Sequence, residues 1–234
     1  DANGNKTGTC FEVDRGGSIG FPDATLLNDG LVAVSYIDSN AVNLKIVATE
    51  ALDIVLTAAD EEIIGTNDDD TIDGAGGDDD ITGGDGDDLI IGGTGADDID
   101  GGVGNDTASY AQSSEAVQID LDTQEAQSGG DAEGDVFASI ENIIGTAFDD
   151  ELLGGFSANI LIGGDGDDLL DGREGDDTLD GGAGRDILRG GAGADSLLGG
   201  DGEDTADYTN SAGVNVNLAD GTSTGGDAEG DTLD

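Results

Sequence analysis

The chain has 234 residues, of which 55 are Asp or Glu and 6 are Lys or Arg, giving a formal net charge of −49. So acidic a protein excludes nucleic acid as a partner, since phosphate needs a basic surface, disfavours anionic membranes, and points to a cation. With no histidine and a single cysteine, it has no Ser-His-Asp or Cys-His arrangement, no internal disulfide and no His/Cys zinc site.

No apolar run approaches the ~20 residues that span a bilayer. No signal peptide is visible, and a chain beginning at Asp1 reads as processed or as a fragment. Residues 1–62 read as a small β-rich module or cap. LVAVSYI (31–37) and VNLKIVA (42–48) have strand composition and are joined around Asp38, Ser39 and Asn40; LDIVLTA (52–58) is a third strand. Lys6, Arg15 and Lys45 fall here, and Cys10 reads as a small buried hydrophobe. Nothing in this stretch suggests a site.

From residue 63 the chain becomes periodic. Five nine-residue units tile 65–109: GTNDDDTID, GAGGDDDIT, GGDGDDLII, GGTGADDID and GGVGNDTAS. Residues 110–144 form a β-rich connector with VQIDL (117–121) and GGDAEGD (129–135). Seven more units tile 145–207. The connector then begins again: DTADY ends at Tyr208 as DTASY ends at Tyr110, VNVNL occupies 214–218, and GGDAEGD recurs at 225–231. The chain stops where a third array would open, so a longer parent is expected.

Two columns hold register through all twelve units. The sixth place is Asp70, Asp79, Asp88, Asp97, Asp106, Asp150, Asn159, Asp168, Asp177, Asp186, Asp195 and Asp204. The eighth is Ile or Leu except at Ala108 and Ala206. Glycines at places one, two and four allow φ > 0 and close backbone approach. Places seven to nine form a strand of about three residues with the middle side chain inward. One aliphatic side chain per unit makes no core alone, but stacked units do, two units making one coil. Asp88 and Asp106 then lie in successive loops on one side, and Asp79 and Asp97 on the other, about 4.8 Å apart. Two bare charges about 5 Å apart repel by roughly 3 kcal/mol at an effective dielectric near 20. Repeated down the stack, this exceeds the stability of an ordinary domain, about 5–15 kcal/mol. A divalent cation turns repulsion into bridging, and carboxylates with loop carbonyls are the hard, flexible oxygen set that suits calcium better than magnesium.

These units resemble the RTX family of haemolysin-type calcium-binding repeats, consensus GGxGxDxUx. The resemblance implies a parallel β-roll with each calcium held between loops eighteen residues apart. It places one ion among Asp88, Asp106 and the carbonyls of Gly84, Gly86, Gly101 and Val103. Another falls among Asp168, Asp186 and the carbonyls of Gly164, Gly166, Gly181 and Ala183. The same carry-over makes ligands of the other sixth-place Asp residues and of the Gly77, Gly92, Gly175, Gly190 and Gly199 carbonyls. An array of n units offers n − 2 sites, about three and about five here. Asn159 and Ser157 depart from the pattern, so the site between that loop and Asp177 is expected to be weak or empty. The opening loops at Asp70 and Asp150 lack the second glycine. Arg173, Arg185 and Arg189 read as solvated charge relief, acids at places five and seven (Asp78, Asp87, Asp98) as solvated, and Tyr110 and Tyr208 as covers for a last coil. Asp131, Glu133 and Asp135, with Asp227, Glu229 and Asp231, form either an extra cation site or an acidic turn.

The competing readings are weaker. A disordered Gly/Asp tail leaves the eighth-place column without purpose, and EF-hand helices are forbidden by this density of glycine. The sequence therefore reads as an all-β, parallel β-roll with a small N-terminal β module, binding Ca2+. The resemblance further implies type I secretion of an unfolded chain and an extracellular structural role, in a surface layer, filament, adhesin or matrix, with self-assembly as one expectation. The alternative is the RTX module of a secreted enzyme whose catalytic part lies elsewhere.

Overall fold

The computed structural model describes residues 33–38, 42–47, 53–55, 58, 60–123, 125–209, 211, 215–217 and 222–233; Lys6, Cys10 and Arg15 lie outside them. Among these residues the protein is a parallel β-roll, with two three-residue 3-10 turns as the helical structure (Gly130–Ala132 and Gly226–Ala228). No helix is long and apolar enough to cross a membrane.

The N-terminal strands are β1 (Ala33–Asp38), β2 (Val42–Val47) and β3 (Asp53–Val55). The first array contributes β4 (Glu61–Ile64), β5 (Thr71–Asp73), β6 (Asp80–Asp85), β7 (Leu89–Ile91), β8 (Asp98–Val103) and β9 (Thr107–Ser109). β1 and β2 form an antiparallel hairpin, and β2 adds in parallel to β4. From there the chain alternates between two walls, because each coil of two units returns to the wall it left. Ile81 lies opposite Ile99 on one wall and Ile72 opposite Ile90 on the other. Strand lengths differ from the uniform three residues expected. β6 and β8 run on through the next pair of glycines to six residues, whereas β5, β7 and β9 stop at three.

The connector holds β10 (Gln118–Asp120), β11 (Val136–Ala138) and β12 (Asn142–Ile144). The second array follows with β13 (Glu151–Leu153), β14 (Ile160–Asp165), β15 (Leu169–Asp171), β16 (Thr178–Gly184), β17 (Ile187–Arg189), β18 (Ser196–Gly202) and β19 (Thr205–Ala206). β20 (Asn215–Asn217), β21 (Thr222–Thr224) and β22 (Thr232–Leu233) complete the described chain. One wall is continuous through both arrays, in the order β20-β21-β22-β18-β16-β14-β12-β9-β7-β5-β3. The facing wall is two sheets, β1-β2-β4-β6-β8-β11 and β10-β13-β15-β17-β19. The connector is therefore more than a run of irregular coils. β11 and β12 complete a coil on β8 and β9, while β10, earlier in sequence, founds the second sheet by pairing with β13.

The core is the eighth-place column. Ile72, Ile81, Ile90, Ile99, Leu152, Leu161, Leu170 and Leu179 are fully buried, and Ile119, Phe137 and Ile143 carry the column through the connector. Ala206 departs from expectation: it is exposed, since its coil has a neighbour on one side only, β17. Tyr110 also corrects its reading. The roll continues past it, so its ring lies within the core, tilted against Phe137 at a centroid distance of 6.4 Å, and covers no end.

Candidate cation-binding loops

In every unit of the two arrays a strand starts at place seven, so the sixth-place side chain leaves the loop just before the strand begins. There it turns inward. Asp79, Asp88, Asp97, Asp106, Asp168, Asp177, Asp186 and Asp195 are all 2 % exposed or less. Each Oδ1 accepts the backbone N–H of the corresponding residue one coil earlier, at 2.8–2.9 Å for Asp70 to Asp88, Asp79 to Asp97, Asp88 to Asp106, Asp150 to Asp168 and Asp177 to Asp195. The result is three ladders. One runs through Asp79 and Asp97. A second runs through Asp150, Asp168, Asp186 and Asp204. The third follows the continuous wall through Asp70, Asp88, Asp106 and Glu141 and again through Asn159, Asp177 and Asp195, its two stretches joined by Asn159 Nδ2 donating to the Glu141 carbonyl.

The second carboxylate oxygen has no such partner. The Oδ2 atoms of Asp79, Asp88, Asp97, Asp106, Asp168, Asp177, Asp186 and Asp195 are buried with no hydrogen-bond partner. A buried, unpartnered carboxylate oxygen costs well over the 1–3 kcal/mol of a neutral group. Its cost appears in the acidities. Burial, opposed by the backbone N–H bond and reinforced by the neighbouring acids, raises Asp79, Asp168 and Asp177 from 3.8 to about 7, and Asp97, Asp106 and Asp195 to about 6. Asp88 and Asp186 move in the same direction for the same cause.

Four of these oxygens, on Asp79, Asp88, Asp168 and Asp177, lie near a glycine carbonyl of the next coil. A Cβ placed on Gly74 would lie 2.5 Å from the Gly92 carbonyl oxygen and 2.6 Å from Asp79 Oδ2. The same two partners recur around Gly83 (Asp88 Oδ2 and the Gly101 oxygen), Gly163 (Asp168 Oδ2 and the Gly181 oxygen) and Gly172 (Asp177 Oδ2 and the Gly190 oxygen). Orphaned carboxylate oxygens converging with carbonyl oxygens suit a hard cation such as calcium. The stacked pairs Asp79/Asp97, Asp88/Asp106 and Asp168/Asp186 would hold it, with Gly92, Gly101 and Gly181 supplying oxygens. No group of three or more acidic or thiol side chains converges among the described residues, so backbone oxygens must complete any shell. The Val103 and Ala183 carbonyls, named as ligands above, each accept a backbone hydrogen bond, from Gly86 and Gly166. Asp204 is only half-buried.

Several rungs of the ladders escaped the periodic reading. Asp135 and Asp231 are rungs: their Oδ1 atoms accept the N–H of Asp97 and Asp195 at 2.9 Å, and their Oδ2 atoms accept the hydroxyls of Tyr110 (2.6 Å) and Tyr208 (2.8 Å). Glu141 is another, accepting the Asp106 N–H. The rest of GGDAEGD is a turn, with Glu133 accepting the Gly129 N–H and Ser113 the Asp131 N–H. The repeated Tyr and GGDAEGD were the available signal. Fifth-place acids also form an outer ladder: Asp69, Asp78 and Asp87 accept the N–H of Asp87, Ala96 and Asn105. The arginines relieve charge as ion pairs. Arg173 holds Asp120 through two bonds of 2.7 Å and reaches the Gly154 carbonyl, Arg189 bridges Asp171 and Asp207, and Arg185 meets Asp167.

Comparison with known proteins agrees with this geometry. Residues 57–90, 74–108, 144–179 and 171–206 match the family model for the RTX calcium-binding nonapeptide repeat. The search of curated proteins returned no match.

Proposed function

The chain belongs to the RTX calcium-binding repeat proteins, and we propose that it is an extracellular structural module whose folding is driven by calcium. The observation that carries this reading is the row of eight buried carboxylate oxygens without a partner. Each is tolerable only when a cation or a proton reaches it. Where calcium is scarce the carboxylates repel and keep the chain open, a state fit for export through a type I apparatus. At extracellular calcium the binding energy becomes folding energy. We infer roughly five to eight ions at the sixth-place Asp residues, with affinities on the order of 10⁻⁴–10⁻³ M. We infer a role in a surface layer, filament, adhesin or matrix from the length of the stacked roll, whose continuous wall carries both arrays.

The test is circular dichroism during a calcium titration. β-type ellipticity should appear at millimolar calcium and vanish on chelation. A spectrum indifferent to calcium would overturn the proposal.

A further inference from the structure

The sixth-place oxygens are not all orphaned. Thr66 donates its N–H to Asp70 Oδ2 at 2.5 Å, Thr146 donates to Asp150 Oδ2 at 2.6 Å, and Gly155 donates to Asn159 Oδ1 at 2.8 Å. In these loops the second-place N–H closes on the sixth-place side chain. In the other nine, the second-place residue has φ between 64° and 127°, and eight of the nine sixth-place carboxylates keep a buried, unpartnered Oδ2. The ninth belongs to the half-buried Asp204. Two of the nine positive-φ residues are not glycine: Ala75 at 64° and Arg173 at 72°. A left-handed Ala or Arg is disfavoured and persists only where the surroundings require it. What it maintains is a loop whose N–H stays away from the carboxylate.

One position separates the classes. All nine open loops have glycine at place four, and in seven of them its φ lies between 117° and 155°, outside the range open to side-chain-bearing residues. The three closed loops have Asp68, Phe148 and Ser157 there. In two of them the place-four N–H instead bonds the threonine hydroxyl, Asp68 to Thr66 and Phe148 to Thr146.

We propose that the roll has two kinds of loop, open loops that take a cation and closed loops in which the protein's own N–H stands where the cation would act. This rests on the calcium reading above and sharpens it. Of the eight loop pairs stacked eighteen residues apart, three contain a closed loop: 70/88, 150/168 and 159/177. Five join two open loops: 79/97, 88/106, 168/186, 177/195 and 186/204. The roll therefore binds five calcium ions, and the long ladder is interrupted between Asp106 and Asp177. That interruption is closed by protein groups alone. Asp106 N–H donates to Glu141 Oε2, Asn159 Nδ2 donates to the Glu141 carbonyl, and Asn159 N–H donates to Asp177 Oδ1.

The experiment is ion counting by native mass spectrometry with calcium chloride, with circular dichroism reporting folding of the same samples. The wild type should carry five ions. Ser157→Gly with Asn159→Asp should add one, at 159/177. Independently, Thr146→Gly with Phe148→Gly should add one, at 150/168, so a folding defect in one variant leaves the other to decide. More than five ions in the wild type, or an unchanged count in both calcium-folded variants, overturns the two classes while leaving calcium binding intact. A wild type that binds none overturns both.

Discussion

Asp168→Asn should change stability in opposite directions with and without calcium. Asp168 lies in the middle of its ladder, 2 % exposed, with Oδ1 on the Asp150 N–H at 2.8 Å and Oδ2 unpartnered. Asparagine keeps an oxygen for the N–H and removes the charge. In the ion-free roll, burial has moved this carboxyl from 3.8 to about 7. At about 1.4 kcal/mol per pH unit this is about 4 kcal/mol against the ionised form at neutral pH, nearer 2 kcal/mol once water reaching the loops is allowed for. The substitution relieves that cost. With calcium it removes a ligand from the 168/186 pair. For a site of Kd 10⁻⁴–10⁻³ M at 10 mM calcium, the lost linkage energy is about 1.4–2.7 kcal/mol. Urea unfolding in 10 mM calcium should therefore show the variant less stable by that amount. In chelator its far-ultraviolet spectrum should be at least as β-rich as wild type. A variant as stable as wild type in calcium, or less structured than wild type in chelator, would refute the assignment of Oδ2 to a cation.

Leu179→Ala touches no ligand but hollows the core at a residue with 0 % exposure. It should cost about 2–5 kcal/mol and raise the calcium midpoint seen by circular dichroism, because folding and binding are one equilibrium. Acid should act in two directions. Asp79, Asp97, Asp106, Asp168, Asp177 and Asp195 are raised in the ion-free fold, so their contribution is present below the unfolded value near 3.8 and is lost as pH climbs through about 6–7. Chelated protein should accordingly gain β-structure on acidification from pH 7.5 to pH 4.5, while the calcium midpoint measured at pH 5.5 exceeds that at pH 7.5 because protons compete for the ligands. Tyr110→Phe removes the hydroxyl from Asp135 Oδ2, a carboxyl already raised to about 7. It should destabilise the calcium-loaded roll by about 1–3 kcal/mol in urea, where no loss would show that the rung does not need its donor.

The period of nine made the two walls and the inward Asp column legible, because a strand's two-fold alternation and a fixed repeat leave one arrangement that buries Ile81 with Ile99 and stacks Asp88 on Asp106. The connector resisted the same reasoning. Asp135 resumes the ladder from 38 residues away, and no local pattern says which strand a distant residue will meet. β10 pairs with β13 rather than with the strand that follows it, a choice set by long-range register. The closed loops were half legible: Thr66 and Thr146 announce themselves, since β-branched residues avoid positive φ, and Asn159 and Ser157 marked their loop as a departure. Gly155 gave no signal of its own, since glycine adopts either sign of φ. The outer ladder at place five was missed because an exposed Asp reads as a solvated charge whether or not it caps a neighbour's N–H.

The wall that runs unbroken from β3 to β22 faces a wall divided where β10 begins. Amide exchange should trace a single protected ribbon along one side of the molecule, with a seam on the other near Asp120 and Ala138. Bending the rod, by crowding or by tension at its ends, should find its fulcrum at that seam, where β11 and β10 of the divided wall belong to separate sheets.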